Sequence, residues 1–193
     1  MSVEIASWIN ELGLNIDVAS GGELAAALAS GIEPARIGVH GNNKSTREIA
    51  RAISAGVGAI VIDSEIEIER IAAAATAQDK IQKVRLRVNT GVHANTHDFL
   101  ATAREDQKFG MSIADAPALV EKIRSHSHLK FVGLHSHIGS QIHAREGFVE
   151  AVSRLVKLHA ELSKNGEVAE LNLGGGFGIN YKPADDAPDI HAF

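Results

Sequence analysis

Residues 36–63 read RIGVHGNNKSTREIARAISAGVGAIVID, and the fold is decided there. Arg36 to His40, just after Pro34, is a short run of strand length with apolar Ile37 and Val39. Ser45 can cap a helix whose third position is Glu48, the pairing of a capping box, and Gly56 supplies the stop. Ala59 to Ile62 is then a second run, apolar throughout. A strand, a capped helix and another strand, joined this tightly, form a βα unit. The helix carries the chain back to the starting end of the sheet, so the two strands run parallel.

The same unit recurs on both sides. Upstream, Val3, Ile5, Ala6, Ile9 and Leu12 fall at helical spacing, Gly13 ends the pattern, and Leu14 to Val18 is an apolar run. Ser20 can cap a helix through Glu23, Leu24 and Leu28 to Gly31. Downstream, a helix from Asp63 or Ser64 crosses an alanine-rich stretch to a strand at Lys83 to Val88. Asn89 to Gly110 breaks the rhythm with His93, His97, Asp98, Asp106 and Lys108, and reads as a long functional loop. A helix at Ala116 to Ile123 and a strand at Lys130 to Leu134 follow. The amphipathic stretch from Phe148 to Leu162 then leads to a sixth strand at Glu170 to Leu173. The tail from Pro183 has the composition of a loop.

The early strand centres lie about 22 to 25 residues apart, the length of one βα unit. The class is therefore α/β with a parallel sheet, and both a doubly wound sheet and a (β/α)₈ TIM barrel satisfy the pattern. A closed barrel needs eight strands, so six βα units would make this a partial barrel.

Composition narrows the partners. The chain has 193 residues, 45% hydrophobic and 22% charged, which suits one globular domain. Its 19 basic and 24 acidic residues are interspersed, and the formal charge of -5 gives no electrostatic footprint for nucleic acid. A small molecule is the expected partner. Cysteine is absent, which removes disulfides and thiolate chemistry and fits a reducing, cytoplasmic setting. Glu4, Asn10 and Glu11 interrupt the N-terminal apolar residues, so no signal-peptide core forms there, and no stretch is long enough to span a membrane.

Two segments could carry chemistry. Leu171 to Gly178, LNLGGGFG, runs a strand into four glycines, and successive glycines let backbone N–H groups converge on an anion such as phosphate. A tight turn would use the same residues. Leu134 to Gln141, LHSHIGSQ, places His135 and His137 two apart at the end of a strand. They could ligate a metal if a third ligand reached them, serve structurally, or offer an imidazole that stacks on an aromatic cofactor while Ser140 reaches its phosphate. Asp17 and Arg87, at strand ends, could belong to a site or to ordinary ion pairs.

Taken jointly, DVASGGEL from Asp17, HGNNKS from His40, THDFLATAREDQKFG from Thr96, GLHSHIGSQ from Gly133 and LNLGGGFGINY from Leu171 resemble the barrel domain of the diaminopimelate decarboxylases. These belong to the alanine-racemase-like, fold type III group of pyridoxal-phosphate enzymes. The resemblance spans nearly the whole chain. It implies that pyridoxal 5'-phosphate is the cofactor and that meso-diaminopimelate is converted to L-lysine and carbon dioxide. It implies further that His137 stacks on the pyridine ring, that Ser140 and the amides of Gly174, Gly175 and Gly176 hold the phosphate, that Arg87 meets the phenolic oxygen, and that Asp17 lies near the cofactor lysine. Asn95 and Asp98 stand where the family usually has histidine and glutamate. The lysine that forms the Schiff base would lie before Met1, and a C-terminal β-domain that completes a homodimer site would lie beyond Phe193. Residues 1–193 are thus expected to form an incomplete pyridoxal-phosphate-binding barrel domain with no catalytic residue of its own. By itself it should be inactive. A non-catalytic pyridoxal-phosphate carrier and a metal-dependent barrel hydrolase are the alternatives.

Overall fold

A computed structural model describes residues 1–92 and 109–182, together with 189 and 191. Most of the Asn89–Gly110 segment, including His93, Asn95, His97, Asp98, Asp106 and Lys108, lies outside them, as does nearly all of the tail from Pro183.

Strands and helices alternate as the periodicity requires. In chain order they are α1 (Val3–Glu11), β1 (Ile16–Val18), α2 (Gly21–Ala29), β2 (Ile37–Val39), α3 (Thr46–Ala55), β3 (Ala59–Ile62), α4 (Glu65–Ala77) and β4 (Gln82–Asn89). Then come β5 (Met111–Ser112), α5 (Ala116–Arg124), β6 (Leu129–His135), α6 (Arg145–Leu162) and β7 (Glu170–Asn172). The caps act where the sequence puts them. Ser20 accepts a hydrogen bond from the Glu23 N–H, and Ser45 and Glu48 form a complete capping box ahead of α3. Gly56 closes that helix in the left-handed conformation, φ 80°, which a glycine adopts without steric cost.

All strand pairs are parallel, in the order β1-β2-β3-β4-β6-β7, with β5 joining β4 off this path. Side chains alternate across the sheet. Ile16, Val18, Ile37, Val39, Ile60, Ile62, Val84, Leu86 and Val88 point outward into one buried apolar layer, where they meet Leu24, Ile49, Ile53, Ile68 and Ile71 from the helices. The alternate positions, Asp17, Gly38, Arg85 and Arg87, face the other side.

That other side is concave. His40, just past β2, and His135, at the end of β6, have ring centroids 4.8 Å apart. In the sheet order these strands are separated by β3 and β4. Neighbouring strands sit about 4.8 Å apart, so a flat sheet would hold the two rings roughly 14 Å apart. The sheet therefore curls. Arg85 of β4 meets Glu170 of β7 across the same hollow, at 2.6 Å from its Nε. This excludes the open doubly wound sheet and leaves the partial barrel.

One irregularity sets the site. In β6, Leu129 and Phe131 point outward with the core, and strict alternation would send Gly133 and His135 outward too. The pairing with β4 instead slips between Val84 and Arg85, so that Val84 faces Phe131 while Arg85 faces Gly133. The extra residue, Val132, is a β-bulge, and it turns His135 into the hollow.

Candidate functional site

Parallel βα units present the residues after each strand at one end of the sheet, where the following loop leaves room for a ligand. An open cavity of about 610 Å³ lies there. Its walls come from β1 (Asp17), the turn after β2 (His40, Gly41, Asn42), β4 (Arg87), β6 and its extension (His135, His137), and β7 and its glycine run (Asn172, Gly174, Gly175), with Ala19 and Phe109. Among the described residues, no lysine belongs to this lining.

Five of the seven residues expected to hold a cofactor thus share one cavity: Asp17, Arg87, His137, Gly174 and Gly175. The other two lie beside each other at its rim. A Cβ on Gly176 would come within 3.2 Å of the Ser140 Cα and would overlap the Gly139 carbonyl oxygen. The two loops are also laced together, the Ile142 N–H donating to the Gly176 carbonyl and the Gly178 N–H to that of Ile142, both at 2.9 Å. Segments about 35 residues apart in sequence therefore form one double wall.

The three glycine amides are not equivalent. The Gly174 N–H donates to Asn172 Oδ1 at 2.9 Å, whereas the Gly175 and Gly176 amides have no protein acceptor among the described residues. Two neighbouring amides without a protein acceptor are groups an anion could use.

Electrostatics divide the cavity. Asp17 Oδ1 lies 3.2 Å from His40 Nε2. Burial works to raise the Asp17 carboxyl, but the nearby His40 ring, with His135 and Arg85 behind, holds it below its ordinary value. His135, only 4% exposed, is pushed down to about 3, chiefly by burial and then by His40, against a hydrogen bond to Asn172. It is a neutral imidazole, and its Nδ1 has no hydrogen-bond partner among the described residues. His137 is lowered too, by burial first and then by Arg87 and His40. A neutral His137 ring can lie against an aromatic ring without charge repulsion. Arg87 is held by Asp63, Nη1 to Oδ1 at 3.0 Å, and its guanidinium sits 5.0 Å from the centre of the Phe109 ring.

The sequence pointed less clearly to His40, Asn172 and Asp63. Each follows from strand parity: Asn172 lies two residues after Glu170 on the same face, and Asp63 two after Val61, whose register partner is inward-facing Arg85. Among the described residues, no three histidine, aspartate or glutamate side chains converge as a metal site would require.

An open, polar, partly cationic hollow of about 610 Å³, with a neutral imidazole and two backbone amides that have no protein acceptor among the described residues, fits a planar ring bearing a phosphate. Comparison with known proteins agrees. The diaminopimelate decarboxylase of Mycobacterium tuberculosis (strain H37Rv) is 48% identical over 97% of the chain, and that of Bacillus subtilis (strain 168) is 40% identical over 99%. The chain spans 44% of the length of each of these relatives. Among solved structures, Helicobacter pylori diaminopimelate decarboxylase complexed with L-lysine superposes with a TM-score of 0.90 at 28% identity, covering 99% of this chain and 48% of that one. The M. jannaschii diaminopimelate decarboxylase in co-complex with L-lysine gives 0.87 at 32% identity, covering 97% and 44%. The family model described as pyridoxal-dependent decarboxylase, pyridoxal binding domain, matches residues 1–192, and the chain belongs to that family.

Proposed function

We propose that this chain is the central portion of the barrel domain of a pyridoxal-phosphate-dependent decarboxylase acting on meso-diaminopimelate, releasing carbon dioxide and L-lysine in lysine biosynthesis. The observation that carries the reading is the single cavity that gathers Asp17, Arg87, His137, Gly174 and Gly175 from strands far apart in sequence. The names of the relatives supply the substrate.

Each residue has a task that follows from its surroundings. The Gly175 and Gly176 amides, with Ser140 beside them, would anchor the phosphate, and the His137 ring would lie against the pyridine face. Arg87, held by Asp63, would stabilise the phenolic oxygen as an anion. Asp17, kept ionised by His40, favours a cation placed beside it, such as the amine of a lysine or of a substrate. When bound, the cofactor supplies the electron sink for the carbon that loses its carboxylate.

Turnover needs more than these residues provide. Among the described residues no lysine lines the cavity, and the chain spans less than half the length of its relatives. We assign the cofactor lysine, the remaining barrel units and the C-terminal β-domain of a homodimer to sequence flanking residues 1–193 in the whole enzyme. The test is carbon dioxide release from meso-diaminopimelate with added pyridoxal phosphate. The whole enzyme should release it and residues 1–193 alone should not exceed a no-protein control. Release by the isolated chain would overturn the division of labour, and none from the whole enzyme would overturn the substrate.

A further inference from the structure

We propose that Asp63 is a positioning residue for cofactor chemistry: its carboxylate, on a backbone held by the buried Lys44–Glu67 pair, sets the direction of the Arg87 guanidinium. The proposal rests on reading the cavity as the cofactor site, and it assigns work to three residues that do not line it.

The geometry starts in the sheet. β3 and β4 pair in the register Val61 to Arg85 and Ile62 to Leu86, so the next inward position after β3, Asp63, falls opposite the next inward position of β4, Arg87. Asp63 Oδ1 receives Arg87 Nη1 at 3.0 Å, and the Asp63 side chain is 3% exposed. A flexible arginine with one guanidinium nitrogen fixed this way has lost most of its freedom to swing. The Phe109 ring limits it further.

Asp63 is itself held. Its backbone N–H donates to Glu67 Oε2 at 2.9 Å, in the first turn of α4. Glu67 is fully buried, and both its oxygens are used: Oε1 accepts the Lys44 backbone N–H at 3.1 Å, and Oε2 also accepts Lys44 Nζ at 2.7 Å. Lys44 Nζ additionally donates to the Gly41 carbonyl at 2.7 Å. One buried carboxylate thus ties the start of α4 to the turn that carries Gly41 and Asn42, two residues of the cavity wall. Burying a complete ion pair costs desolvation that a simple apolar pair would not, so its retention calls for a geometric reason. Fixing register at the cavity edge is such a reason. It also accounts for the lysine in HGNNKS, which no cavity contact explains.

Asp63 Oδ2 has no hydrogen-bond partner among the described residues. The carboxylate therefore depends on Arg87, as Arg87 depends on it, and the two should behave as a unit.

The experiment uses the whole enzyme loaded with pyridoxal phosphate and reads cofactor absorbance and cofactor affinity for Asp63→Asn, Arg87→Ala and the double variant. Asp63→Asn preserves shape and removes the charge. It should shift the absorbance in the same direction as Arg87→Ala and weaken cofactor binding about tenfold, as loss of a charged hydrogen bond does. The double variant should add little to Arg87→Ala alone. An unchanged spectrum and affinity in Asp63→Asn, with Arg87→Ala altered, would overturn the positioning role while leaving the cofactor site standing. If Arg87→Ala itself changes neither readout, the cavity reading has failed and this proposal with it. Should Asp63→Asn not fold, Asp63→Glu keeps the charge on a longer arm. A shifted absorbance there supports positioning, and a wild-type spectrum overturns it.

Discussion

Gly174, Gly175 and Gly176 stand in sequence but meet different surroundings. At Gly174, φ 76°, a Cβ would overlap the Ser136 carbonyl oxygen, and at Gly176, φ 98°, it would overlap that of Gly139. Both positions are glycine because two loops must approach backbone to backbone. Gly175 meets nothing within 4 Å among the described residues and lines the cavity, so those residues give no reason for a glycine there. The proposed cofactor phosphate would give one. Gly175→Val should therefore leave thermal stability close to wild type while weakening cofactor binding in the whole enzyme by about tenfold or more. Gly176→Val should lower thermal stability, since it breaks the seam with Gly139. Equal cofactor affinity in Gly175→Val and wild type would mean that the phosphate lies elsewhere.

His135 gives a second prediction at this scale. Its folded value of about 3 lies below the ordinary histidine value of 6.5, so unfolding takes up a proton between those limits. The stability this lends is fully present above pH 6.5 and is lost as pH falls toward 3. The slope for one proton is at most about 1.4 kcal/mol per pH unit. His135→Asn should lose less stability than wild type between pH 7 and pH 5 in thermal unfolding. Parallel pH profiles would contradict the neutral, buried assignment. Much of this site was legible in the sequence because its residues sit at strand ends beside glycines. His40 and Asn172 were harder, since only the curl of the sheet brings them together.

At the scale of elements, apolar runs and caps are strong local signals, and they located all six principal strands. Met111–Ser112, which pairs Val88 and Asn89 of β4, is too short to show a period. The bulge at Val132 was equally hidden: Phe131, Val132 and Gly133 form an apolar run in which an extra residue leaves no mark. Yet this bulge decides which way His135 points. The capping box of α3 is a clearer case, because Ser45 and Glu48 satisfy each other and Glu48 Oε1 also accepts the Gly21 N–H at 2.9 Å. The hydrogen bonds to Ser45 and to the Gly21 and Ser45 backbone hold the Glu48 carboxyl below its ordinary value. Ser45→Ala should cost about 1 kcal/mol of stability in denaturant unfolding, the usual cost of a lost N-cap. A change within error would mean that the box contributes nothing beyond solvation.

For the whole molecule, barrel or open sheet could not be chosen from periodicity, because both repeat the same βα unit. The choice is a property of how the sheet closes, and it is read from contacts such as His40 to His135 that skip two strands. Closure is also what turns residues from β1, β4, β6 and β7 into one cavity, so fold and function rest on the same curvature. The most direct test is the structure of the whole enzyme with pyridoxal phosphate bound. The account predicts the pyridine ring against His137, the phosphate at the Gly175 and Gly176 amides beside Ser140, and the phenolic oxygen toward Arg87. A cofactor bound with its phosphate away from the glycine run, or with His137 out of contact, would contradict it.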